Sequence, residues 1–143
     1  MQTLPFWLDA FLIPVRDSQV AQVAIAAVLL LILLDVLFGI GNALASHTYS
    51  SGKMRQGIGH KCTELGFMLV GIVVDGTIAG GFDLGYSAPV LTAICAYLCV
   101  MEIGSLLETF AVMNPQLAGS AIFKLLESTH IIEEERDDAQ TED

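Results

Sequence analysis

The feature that most constrains this 143-residue chain is its long, uninterrupted apolar runs. Residues 23–34 contain only Val, Ala, Ile and Leu, and the apolar stretch around them extends from about residue 20 to residue 45. At about 1.5 Å of rise per residue, a helix of this length crosses the roughly 30 Å hydrocarbon core of a bilayer. The run therefore predicts a first membrane span over 20–45.

Two further apolar stretches predict a second and a third span. Residues 63–81 form the weaker one, because Glu64, Asp75 and several glycines dilute it. Residues 86–113 form the third, with Ser87 as a possible cap, Pro89 in its first turn and Asn114-Pro115 at its end.

The segments before, between and after the spans also have sequence patterns that predict their structure. Residues 3–14 are too short to span and contain Phe6, Trp7 and Phe11, which favours a helix lying in the membrane interface. Residues 46–62 are polar and glycine-rich, which predicts a loop. Residues 116–128 show helical apolar spacing and predict a short amphipathic helix. The sequence thus predicts an all-α integral membrane protein with one membrane domain over residues 1–128.

Composition and charge agree with that architecture. The chain is 54% hydrophobic and only 15% charged, against about 25% charged in soluble domains. Much of the net charge of −10 lies in residues 129–143, which we expect to form a disordered acidic tail. Six Lys and Arg in total argue against a nucleic-acid partner.

The distribution of basic residues predicts the orientation. Lys53, Arg55 and Lys61 lie between the first two spans, whereas Arg16 alone precedes the first span. Loops rich in Lys and Arg stay in the cytoplasm. We therefore expect the N-terminus outside, the C-terminus inside, and a multi-pass location in a cytoplasmic membrane.

Acidic residues occur in every predicted span and have no basic partner inside the membrane. An ionisable side chain near the centre of a spanning helix costs roughly 2.5–3.5 kcal/mol for insertion. These acids must therefore be protonated, face other helices or face water. Small and polar residues share their helix faces and would allow close packing. The predicted pore-facing or helix-packing positions are Asp35, Gly39, Asn42, Ala43, Gly71, Asp75, Glu102, Ser105 and Glu108.

Two hypotheses for these positions remain open. The acids either hydrogen-bond between helices or line a path for water. Gly39 with Ala43, and Gly76 with Gly80, are small pairs four residues apart, although such pairs are a weak signal alone. No catalytic, cofactor or metal motif surrounds the histidines or acids, so we expect no catalytic residue, no cofactor and no metal.

The order of residues along the chain resembles the phage holin family that includes toxin-secretion holins. The resemblance is carried by Asp35 with Gly39 and Ala43, then by Ser50-Ser51, Gly57 and Lys61. The third span is similar to the family's Glu-x-x-Ser-Ile-x-Glu stretch through Glu102, Ser105 and Glu108. Thr109 stands where the family usually has Asn, and the tail is acidic where many members are basic. The resemblance covers roughly residues 35–126.

The resemblance implies a non-enzymatic function. A holin accumulates in the bacterial cytoplasmic membrane, assembles into a homo-oligomeric hole and releases an endolysin-type cell-wall hydrolase or another protein. Two other hypotheses stay open from the residues alone. One is a small proton-coupled transporter or ion-channel subunit, and the other is a non-conducting membrane anchor.

Overall fold

A computed structural model of the chain describes residues 5–47, 50–82, 85, 89–121 and 123–125, with the side chains at positions 6, 7, 10, 53 and 118 left aside. Within these ranges there are helices and turns but no strand. The helices are α1 (Phe6–Asp17), α2 (Gln19–Ala45), α3 (Ser51–Ala79), α4 (Val90–Met113) and the single turn α5 (Pro115–Ala118). The predicted acidic tail lies outside the described residues.

Three of these helices are long and apolar enough to cross a membrane, namely α2, α4 and residues 54–79 of α3. The predicted first span, 20–45, coincides with α2 within one residue. The predicted end of the third span at Met113 is also confirmed, because Asn114 caps the following turn with its side chain. The protein is therefore an all-α, multi-pass membrane protein.

The predicted loop over residues 46–62 is wrong for most of its length. Helix α3 begins at Ser51 and continues without a break into the second span. The glycines at 57 and 59 are tolerated because the segment contains no proline and is rich in good helix formers. Two contacts at helical spacing also support this turn: His60 lies 3.1 Å from the Glu64 carboxylate, and Lys61 forms an ion pair with it at 3.6 Å.

The predicted amphipathic helix over residues 116–128 is interrupted within its described part, residues 116–121 and 123–125. Helix α5 ends at Ala118 with Gly119 as its C-cap, and Ser120 starts a new turn by accepting a hydrogen bond from the backbone N–H of Phe123. Phe123 is buried, whereas Leu117 and Leu125, on the predicted apolar face, are exposed. Because of the break, Phe123 packs inward, whereas the sequence pattern predicts that Leu117 and Leu125 would.

The predicted N-terminal helix is confirmed, with bounds shifted by three residues at each end. It starts after Pro5 and passes through Pro14, which removes one N–H from the ladder without ending the helix. Ser18 has an extended backbone and forms the corner between α1 and α2. Its hydroxyl accepts a hydrogen bond from the N–H of Ala21 and so caps α2. That this helix lies in the membrane interface stays a prediction.

An exposed charge cluster lies at the same corner. The Arg16 guanidinium donates hydrogen bonds to Asp9 and Asp17, at 2.8 and 2.9 Å. The hydrogen bond from Arg16 holds the pKa of Asp17 below its ordinary value. The cluster joins the last turn of α1 to its first turn and leaves both acids solvated.

The chain divides into two compact units. The first comprises Met1–Leu30 and Ser51–Leu98, and the second comprises Leu31–Ser50 and Cys99–Asp143. In the first unit, α1 packs against α3, and the buried apolar side chains are Ala21, Val28, Met68, Leu91, Ile94, Cys95 and Leu98. In the second unit, Leu106 and Phe123 are buried, and the rings of Phe38 and Phe110 meet edge to face at 4.9 Å.

Candidate functional site

The predicted polar positions fall into both units, and the second unit holds most of them. Asp35 on α2 and Ser105 on α4 are both half-buried. The Ser105 hydroxyl donates a hydrogen bond to Oδ1 of Asp35 at 2.7 Å. In a low-dielectric surrounding such a bond satisfies a carboxyl group that lipid would leave unsolvated. The structure therefore brings these two predicted residues together.

Glu102 lies one helical turn before Ser105 and is the most deeply buried acid described, at 1% exposure. Glu108, on the next turn after Ser105, is exposed. The two glutamates of α4 thus occupy different surroundings in the same unit. Glu102 is buried within the chain, and Glu108 is exposed to lipid, water or another chain.

The small residues of α2 do not support close packing within the second unit. A Cβ built at Gly39 would meet no atom within 4 Å. Asn42 and Ala43 are half-buried, and the Asn42 carbonyl accepts hydrogen bonds from both the hydroxyl and the N–H of Ser46. The expected helix-packing role of Gly39 therefore has no counterpart inside this unit and stays a prediction for an assembled state.

Asp75, in the first unit, has a partner that the sequence did not suggest. Its two carboxylate oxygens accept hydrogen bonds from the backbone N–H groups of Val90 and Leu91, each at 3.0 Å. These are the first two N–H groups of α4, which no residue inside that helix can satisfy. A carboxylate at a helix N-terminus also interacts favourably with the helix dipole. Asp75 therefore caps α4 from the neighbouring helix.

Two glycines of α3 allow close approach of neighbouring helices on either side of Asp75. A Cβ at Gly71 would lie 2.9 Å from the Cα of Leu91, and a Cβ at Gly76 would lie 2.6 Å from the Cα of Phe11. Both distances are too short for any larger residue without movement of backbone. Gly71 thus allows α4 to pack closely against α3, and Gly76 allows α1 to do the same. The sequence pattern places Gly76 in a small-residue pair with Gly80, but it does not predict the contact with α1.

Glu64 forms a third polar site, at the polar end of the second span. Its carboxylate is 8% exposed and contacts Nε2 of His60 at 3.1 Å and Nζ of Lys61 at 3.6 Å. The second distance is an ion-pair contact, too long for a hydrogen bond, and the oxygen involved has no hydrogen-bond donor among the described residues. Glu64 therefore has two basic neighbours in the preceding turn of the same helix.

The described residues contain no group of three His, Cys, Asp or Glu side chains that could hold a metal ion. Of the cysteines, Cys95 is buried, Cys99 is half-buried and Cys62 is exposed, and none of the three forms a disulfide. Of the predicted acids, Asp35 and Asp75 each accept hydrogen bonds from α4.

Comparison with known proteins gives one match. Neither the curated proteins nor the solved structures provide a significant match to this chain. A family model described as the bacteriophage holin family matches residues 20–128, which include all three membrane-spanning helices and every predicted site residue. This multi-pass membrane protein therefore belongs to the bacteriophage holin family.

Proposed function

We propose that this protein is a holin that oligomerises in the cytoplasmic membrane and opens a hole for a cell-wall hydrolase or another folded protein. The observation that carries the proposal is the family match over residues 20–128. Three apolar helices, long enough to span, support it.

The surface of α2 supports assembly. Only 6% of the apolar window of this helix is buried within the chain, against 39% for α4. Leu29, Leu30, Leu33 and Leu37 are all exposed. In a membrane such a surface contacts lipid or other subunits, and because lipid is equally apolar, exchange between the two is not opposed by the hydrophobic effect. Helix α2 is therefore the surface that we assign to subunit contacts.

The polar groups of the second unit support a hole with a water-filled interior. Asp35 and Ser105 satisfy each other in the single chain, whereas Glu108 and Gly39 are exposed nearby on the same two helices. A group of subunits that turned this polar surface away from lipid would replace the internal hydrogen bond with water. Hydration of the acids would then offset the loss of the hydrogen bond between Asp35 and Ser105.

The orientation is part of the proposal. Residues Lys53, Arg55 and Lys61 belong to the start of α3, and two spans separate this segment from the C-terminus. Both therefore lie on the same side of the membrane. The positive-inside rule places that side in the cytoplasm and the N-terminus outside.

A small proton-coupled transporter or ion-channel subunit is the second candidate. The buried carboxyl of Glu102 favours it, because carboxyl groups inside membrane proteins often carry protons or ions. The size of the released molecule separates the two functions. An ion pathway passes no folded enzyme.

The test uses inducible expression in a bacterial host, with and without a cytosolic cell-wall hydrolase that lacks an export signal. With the hydrolase, we expect a delay followed by abrupt lysis. Without it, growth stops and the membrane potential falls while cells stay whole. Loss of potential with the hydrolase retained would favour the ion pathway. No effect from protein confirmed in the membrane would reject both and favour an anchor.

A further inference from the structure

The start of α3 has a length and surface that suit it to phospholipid headgroups. The helix has 29 residues, which at about 1.5 Å each gives a length of about 43 Å. That length exceeds the hydrocarbon core and equals the about 40–45 Å thickness of a bilayer with its headgroup layers. About 20 residues are enough to cross the core, so the polar N-terminal end of α3 reaches into the headgroup layer while the rest spans. The first three turns of α3 are residues 51–62. We call them the basic extension.

The basic extension is amphipathic. Met54, Ile58 and Cys62 are spaced four residues apart, so they form one stripe along the helix, and all three are exposed. Exposed Arg55 and half-buried Lys61 lie on opposite sides of this stripe. Apolar side chains flanked by long basic ones are typical of helices in the membrane interface, where the charged ends extend to the phosphates.

The charge of the extension is concentrated and only partly compensated. Three of the six Lys and Arg of the chain occur in its twelve positions, which contain no acidic residue. Glu64 lies one turn beyond and contacts Lys61. Arg55, by contrast, lies outside this ion pair on the far side of the stripe.

We propose that the basic extension binds anionic phospholipid headgroups, with Met54 and Ile58 against the upper acyl chains and Arg55 and Lys61 on the phosphates. The occupant is a lipid because the stripe continues, without a helix break, into a segment that spans the membrane. Anionic lipid is favoured over zwitterionic lipid because a basic residue near a negatively charged membrane surface is attracted by it. The proposal concerns binding alone and does not require a hole to form.

The test measures which lipids surround the extension. The full-length protein, with its three cysteines replaced by Ala and a fluorophore on Ser51→Cys, is placed in nanodiscs of mixed phosphatidylglycerol and phosphatidylcholine. A nitroxide is carried on the headgroup of one lipid or the other. We expect the anionic nitroxide lipid to be enriched at the fluorophore by about fivefold, the effect of about 1 kcal/mol from one basic residue. The enrichment should fall towards onefold at about 1 M salt, where screening lengths are about 3 Å.

Three variants identify the residues responsible. Lys53→Gln, Arg55→Gln and Lys61→Gln together should abolish the enrichment, whereas Arg55→Lys should retain it. Lys124→Gln removes an exposed positive charge outside the extension and should leave the enrichment unchanged. Equal quenching by both lipids in the unaltered extension would overturn the proposal. Weak quenching by both lipids, with energy transfer between fluorophores, would place a second copy on this surface and overturn it equally. Hole formation is measured separately, so a failure here leaves the holin function intact.

Discussion

The hydroxyl of Ser105 lies 2.7 Å from Oδ1 of Asp35 and donates a hydrogen bond to it, joining α2 to α4 within the second unit. Both residues were candidates on sequence grounds, since each lies on the polar side of its helix. Their pairing gives a membrane acid on one helix a hydrogen-bond donor from the neighbouring helix. The energetic coupling between the two side chains can therefore be measured with single and double substitutions.

We expect Asp35 and Ser105 to be energetically coupled. In a double-mutant cycle of Asp35→Ala and Ser105→Ala, the coupling free energy of unfolding should be about 0.6–1.7 kcal/mol, the range for interhelical hydrogen bonds in membranes. Unfolding in mixed micelles by steric trapping measures it. Glu108→Ala paired with Ser105→Ala is the control, because Glu108 is exposed. Strict additivity of the Asp35 and Ser105 effects would contradict the hydrogen bond.

We expect Asp75 to stabilise the first unit as the cap of α4. Asp75→Ala leaves the N–H groups of Val90 and Leu91 without their acceptor and should cost about 2–4 kcal/mol in the free energy of unfolding. Asp75→Asn keeps one acceptor oxygen and should cost less. Hydrogen exchange at Val90 and Leu91 reports the cap directly, and both amides should exchange faster in each variant. Unchanged exchange at the two amides, with Asp75→Ala as stable as the unaltered protein, would remove the capping role.

We expect the contact of Phe11 with Gly76 to hold α1 on α3. In Gly76→Leu the new side chain would occupy the position of the Phe11 backbone, so α1 must move, at a cost of about 1–3 kcal/mol. Trypsin cleavage after Arg16, in the last turn of α1, should then become about tenfold faster. Gly39→Leu is the matched control, since its side chain enters open space. Equal cleavage rates in the two variants would show that the contact between Phe11 and Gly76 does not hold α1 on α3.

We expect the start of α3 to be cytoplasmic. A chain with Ala at all three cysteines and carrying Ser51→Cys should resist a membrane-impermeant thiol reagent in intact cells and react after permeabilisation, because Ser51 is the exposed first residue of α3. The same cysteine-free chain carrying Gln19→Cys is the control and should react in intact cells, since Gln19 begins the first span from the other side. Labelling of Ser51→Cys in intact, unlysed cells would reverse the orientation.

The spans were predictable because apolar length is a local property of the sequence. The 20–45 prediction and the helix α2 agree within one residue, and Asn114-Pro115 ends the third span as expected. The start of α3 was not predicted, because Gly57 and Gly59 indicate turns. The contacts of His60 and Lys61 with Glu64 become visible only once the helix exists.

The partners of the acids were less predictable than their positions. The cap that Asp75 provides joins residues fifteen and sixteen positions apart, across a turn whose path the sequence does not specify. Helical spacing placed Asp35 and Ser105 on the polar sides of their helices but could not pair them. Gly39 and Gly76 have equal weight in a sequence pattern, yet only Gly76 meets another backbone.

The size of the opening tests the central claim most directly. Purified protein is added to vesicles of bacterial lipid that contain a small fluorescent ion and a folded cell-wall hydrolase, each with its own label. A hole of the proposed kind should release both labels from the same vesicles, and the hydrolase should emerge active. Release of the small ion with full retention of the hydrolase would contradict the account and assign this chain to an ion pathway.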